Sequence, residues 1–106
     1  MKKSLKEQVK EFKNFLDANY FIYDHYTLGN DTKVHITYPK NEKVHNFIIY
    51  PKNDKTKLYK VVFENQYCIR IIMAFDMNNY VTTNISPLPG IYFTLEKTIA
   101  FFRLFL

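Results

Sequence analysis

The hydrophobic period of this sequence changes once near its start, from helical to two, and that change dictates a mixed fold. Leu5, Val9, Phe12 and Leu16 recur at helical spacing, with Phe15 beside them, so one face of a helix is apolar. Ser4 and Glu7 have the S-x-x-E spacing in which each side chain satisfies a free backbone N–H at a helix start. The stripe stops near Asn19.

From Tyr20 onward apolar residues alternate, and Gly29-Asn30-Asp31-Thr32 has turn chemistry. A turn centred on Asn30-Asp31 pairs Thr27 with Val34, His25 with Ile36 and Tyr23 with Tyr38. That register gathers Phe21, Tyr23, Val34, Ile36 and Tyr38 on a core-facing side and sends Asp24, Tyr26, Lys33, His35 and Thr37 outward. Ile36-Thr37-Tyr38-Pro39-Lys40-Asn41 is echoed twelve residues later by Ile48-Ile49-Tyr50-Pro51-Lys52-Asn53. Pro and Asn suit tight turns, so each copy reads as a strand end followed by a turn. The period is too short for a solenoid.

Further strands are expected over Lys57–Glu64, Tyr67–Phe75 and Tyr80–Ile85. Pro87 and Pro89 cannot donate ladder hydrogen bonds and end the sheet. Residues Ile91–Leu106 read as a helix apolar nearly all round, which must be buried on most sides. The expected architecture is therefore α+β in a single domain, residues 1–106. An N-terminal helix, a five- or six-stranded antiparallel β-meander and a C-terminal apolar helix follow in order, both helices on one sheet face.

Ten Phe and nine Tyr without Trp favour strands and a large aromatic core. Two Gly leave Asn to supply some of the left-handed turns. One cysteine, Cys68, permits no internal disulfide, and no apolar run is long enough to span a membrane. These features are expected of a cytoplasmic protein, with no membrane partner.

The net charge is +5, and it is local: residues 33–60 carry about +5 of it, whereas residues 14–32 carry about −3. Lys33, Lys40, Lys43, Lys52, Lys55, Lys57 and Lys60 fall within 28 residues, interleaved with Tyr38, Tyr50 and Tyr59. Lysines neutralise phosphates and tyrosines stack on bases, so Lys40, Lys43, Lys52, Lys55, Lys57, Lys60, Tyr38 and Tyr50 form the candidate binding set. Against nucleic acid stands the scarcity of arginine, two against thirteen lysines. Edge lysines that block aggregation in a Lys- and Asn-rich chain explain the same run.

Catalytic motifs are missing: the sequence has no phosphate-binding Gly loop, no G-x-S-x-G, no H-E-x-x-H and no paired Cys. Cys68 sits among apolar strand residues, the setting of a small buried hydrophobe. His25, His35 and His45 are spaced by ten, but the hairpin register sends His25 and His35 to opposite faces, and metal ligands must converge. No metal or cofactor is expected. The C-terminal Phe101, Phe102 and Phe105 form a second candidate surface, a homodimer interface, since aromatic residues anchor such contacts.

These readings point to a non-enzymatic binding protein that occludes or bridges a macromolecule, a protein partner before nucleic acid. Size and composition associate it with phage or mobile-element accessory proteins, such as inhibitors of a host defence system. The alternative is a nucleic-acid-binding module using the Lys/Tyr-rich hairpins.

Overall fold

The structure is a computed structural model that describes residues 3–28, 43–53, 55–75, 81–85 and 92–106. Helix α1 spans Leu5–Ala18 and opens with the expected capping box, Ser4 Oγ accepting from the Glu7 backbone N–H at 3.2 Å. Its apolar stripe of Leu5, Val9, Phe12, Phe15 and Leu16 is buried. The helix ends in a Schellman motif: Tyr20 N–H donates to Asp17 O at 3.2 Å and Phe21 N–H to Leu16 O at 3.0 Å. That motif needs a left-handed residue, and here it is Tyr20, at φ 59°. This left-handed position is filled by neither Gly nor Asn. Packing decides it, because Phe21 must turn back to place its ring 5.8 Å from Phe15 and 6.2 Å from Phe102.

Strands β1 (Ile22–Leu28), β2 (Val44–Tyr50), β3 (Lys57–Asn65), β4 (Cys68–Phe75) and β5 (Val81–Ile85) neighbour one another in chain order. All neighbours are antiparallel. The partner of β1 in this sheet is β2, with Tyr23 opposite Ile49, His25 opposite Phe47 and Thr27 opposite His45. The hairpin partner expected for it, residues 34–38, lies outside the described residues, as do the first Tyr-Pro-Lys-Asn turn and the Pro87–Pro89 break.

Helix α2 is shorter than expected, Leu95–Arg103 instead of starting at residue 91. Thr94 caps it by accepting from the Lys97 backbone N–H at 3.1 Å. Phe93 is extended and donates to Ile69 O at 2.9 Å. Apolarity alone could not show where the extended backbone gives way to helix; a Thr at the N-cap position does.

Period-two alternation places Phe47 and Ile49, Tyr59, Val61 and Phe63, and Ile69 and Ile71 on the sheet face that meets both helices. Phe12 of α1, fully buried, lies 5.1 Å from Phe47, 5.4 Å from Phe63 and 5.8 Å from Phe102 of α2, measured between ring centroids. One aromatic cluster therefore joins both helices to the sheet. Each such pair contributes about 0.5–1.5 kcal/mol beyond the burial of its area. The molecule is α+β, two helices against an antiparallel sheet.

Candidate binding surfaces

Strand parity that sends Tyr23 and His25 toward the helices sends Ile22, Asp24, Tyr26 and Leu28 to the opposite face. The register brings Tyr50, Ile48, Asn46 and Val44 of β2 alongside them, then Lys60 and Val62 of β3, and Ile72 and Arg70 of β4. Ile22 is 60% exposed, Leu28 42% and Tyr26 38%. The polar groups among them are matched to one another. Tyr50 donates its hydroxyl to Asp24 Oδ2 at 3.0 Å, a bond that raises the tyrosine's pKa. Lys60 Nζ stands 5.9 Å from the Tyr26 ring centroid, a cation–π geometry. Arg70 is ion-paired with Glu64. Among the described residues of this face, Asp24 and Glu64 balance Lys60 and Arg70, and each of the four has a partner there.

The lysine run does not come together. Lys43 precedes β2, while Lys52 and Lys55 follow it, all three exposed. The seven residues of β2 separate those ends by about 20 Å at roughly 3.3 Å per residue. That exceeds two screening lengths of about 8 Å at physiological salt. Lys57 begins β3 on the same end as Lys52, Lys60 sits mid-strand on the outer face with Tyr50, and Lys40 and Tyr38 lie outside the described residues. Proximity in sequence is thus distributed over two ends and one face.

The three C-terminal phenylalanines are not a common surface. Phe102 is fully buried against Phe12, Phe21 and Tyr59. Phe101 and Phe105 are half-buried and pack on Tyr59 at 5.5 and 5.1 Å. The large apolar residues that α2 and its last turn leave to solvent are Leu104, 79% exposed, and Leu106, 63% exposed.

His25 and His45 meet on the helix side of the sheet, His25 Nε2 lying 3.0 Å from His45 Nδ1. Their rings are 15° from parallel with centroids 5.3 Å apart, so the nitrogens point at one another and a neutral ring can donate to its neighbour. The arrangement is a hydrogen bond. Burial lowers the pKa of both rings, with Lys13 adding to the effect at His25, and His25 and Lys43 at His45. His35 lies outside the described residues, and among the described residues no three metal-binding side chains gather. Cys68 is a half-buried free thiol.

Charge drew attention to the lysines and away from Ile22, Tyr26 and Leu28. The signal for these was present: Ile22, Tyr26 and Leu28 are apolar residues at outward parity in the strand. No helix among the described residues is long and apolar enough to cross a membrane. No family model matches the chain, and no curated protein or solved structure matches it either.

Proposed function

We propose that this chain is a non-enzymatic, cytoplasmic binding protein that occludes or bridges a protein partner. In this reading an antiparallel meander of five or six strands carries both helices on one face and engages the partner with the β1 side of the other, since Asn46 and Val62 deeper in that face are buried. The observation that carries it is the outer set of Ile22, Tyr26 and Leu28, exposed and apolar among charges already matched to neighbours. Protein interfaces have apolar, aromatic centres depleted in unpaired charge, and apolar residues gathered on one surface mark such sites. A nucleic-acid surface would instead present unpaired cations to the phosphates. Lys52 and Lys55 are on one end and Lys43 on the other, which argues against that use. Inhibition by occlusion, such as that of a host defence system, suits a small domain whose chemistry resides in its surface.

Photo-crosslinking tests the reading. A benzoylphenylalanine at Tyr26 is expected to trap one discrete protein in cells, and the same probe at exposed Lys10 on α1 to trap none. Ile22→Asp and Leu28→Asp should abolish the adduct while the protein stays folded. Equal labelling from both positions, or an adduct that survives both substitutions, would sink the assignment. Submicromolar, salt-sensitive binding to oligonucleotides, weakened by Lys52→Glu/Lys55→Glu, would move it to nucleic acid.

A further inference from the structure

A cleft of about 340 Å³ opens between the start of α1, the turn joining β3 to β4 and the N-terminus of α2. Its volume is at the lower end of ligand pockets, which run from about 300 to 1,000 Å³. Ile69, Phe93 and Leu95 supply an apolar lining, and Gln8, Glu11 and Glu96 a polar one. Gln8 is only 5% exposed. Its Nε2 donates to Lys3 O at 3.0 Å and to Gln66 O at 2.8 Å, which uses both amide hydrogens. No described residue donates to its Oε1. The polar wall therefore offers acceptors and carboxylates.

The chain's own Lys3 ammonium already occupies this setting. It is hydrogen-bonded and ion-paired to Glu11, which holds its pKa above the usual lysine value, and the charges of Glu7 and Glu96 act in the same direction. Carboxylates of two helices thus bear on one ammonium. The partial charge of about +0.5 at the α2 N-terminus is opposed by the full charge of Glu96 in its first turn, so the cleft does not suit an anion. The Lys3 and Glu11 side chains are 52% and 44% exposed, and so exposed a pair is held weakly.

We propose that this cleft binds an ammonium group carried on an alkyl chain, with Lys3 as the competitor built into the protein. Ile69, Phe93 and Leu95 take the alkyl chain, and Glu11, Glu96 and Gln8 Oε1 take the ammonium. Such a ligand comes either as a free amine or as a lysine side chain of another protein. The inference is independent of the outer sheet face.

Titration of the labelled full chain, followed by amide NMR, tests it with n-pentylammonium, 1-pentanol and the peptide acetyl-Gly-Lys-Gly-amide. Pentylammonium should produce saturable shifts at the Gln8 side-chain amide, Ile69 and Phe93, with 1-pentanol at least about tenfold weaker. Lys3→Met should tighten pentylammonium about threefold or more, and Glu11→Gln and Glu96→Gln should each weaken it. The same spectra report whether each variant is folded. A peptide that matches or exceeds pentylammonium identifies a protein lysine as the ligand; saturation by the free amine alone identifies a small amine. Equal binding of alcohol and amine, shifts that never saturate, or weaker binding in Lys3→Met would overturn the proposal.

Discussion

Replacing Phe102 by alanine separates a core residue from an interface residue, the two roles open to it in the sequence. The side chain is fully buried, and its ring lies 5.8 Å from Phe12, 6.2 Å from Phe21 and 5.9 Å from Tyr59. Removing a buried phenylalanine costs about 3–5 kcal/mol, from lost transfer energy and the cavity left behind. Rings on α1, β3 and the α1–β1 connection surround this cavity, and they cannot all collapse into it. The upper half of that range is therefore expected. A domain of this size has about 5–15 kcal/mol of stability, so the variant should fold but with a large deficit. With a urea slope of about 2 kcal/mol/M, a loss of about 4 kcal/mol moves the midpoint down by about 2 M. The control is Leu104→Ser: Leu104 is 79% exposed, and its loss should stay within about 0.5 kcal/mol. Urea unfolding, followed by far-ultraviolet circular dichroism, reads both. A Phe102→Ala midpoint within about 0.5 M of the parent would refute the packing assigned to α2. So would a fully stable variant whose only change is in sedimentation.

Ser4→Ala should cost about 0.5–2 kcal/mol in the same assay, because the Glu7 N–H loses its acceptor; no measurable change would mean the box contributes nothing in solution. Tyr20→Gly should stabilise the chain by about 0.5–1 kcal/mol, since relief of about 1–2 kcal/mol of left-handed strain exceeds the entropy cost of about 0.5–1 kcal/mol. A lower melting temperature in that variant would show that the exposed ring has contacts worth more than the strain. Burial depresses the pKa of His25 and His45 in the fold, so the unfolded chain takes up protons first. Stability should be full above about pH 6.5, fall as pH drops below that value, and level off below the depressed folded-state values. The His25→Gln/His45→Gln double variant should show a shallower fall between pH 7.5 and 5.0, and an undiminished one would exclude the pair as its source.

What the sequence alone determined was local. The α1 start follows from Ser4 and Glu7, three residues apart, whose interaction depends on no distant contact. The α1 stripe and the alternation of β3 and β4 were equally legible, because a helix or strand repeats its buried side at a period set by its own backbone. Strand ends moved by no more than a residue there, Lys57–Glu64 becoming Lys57–Asn65 and Tyr67–Phe75 becoming Cys68–Phe75.

The tertiary structure decided which local options were used. A helix apolar nearly all round does not say which ring faces inward; the sheet chose Phe102 and left Leu104 and Leu106 in solvent. Tyr20 is a poor left-handed residue by local rule, and the contacts of Phe21 with Phe15 and Phe102 override that rule. His25 and His45, twenty residues apart, meet at 3.0 Å because β1 lies beside β2. The lysines of residues 43–60 part company because β2 carries the chain from one end of the sheet to the other. Lys3, Glu11 and Glu96 converge only because α1 and α2 pack on the same sheet face. A residue's neighbours along the chain determine its backbone preference, whereas its surroundings depend on pairings across the sheet, where separation in sequence carries no distance information.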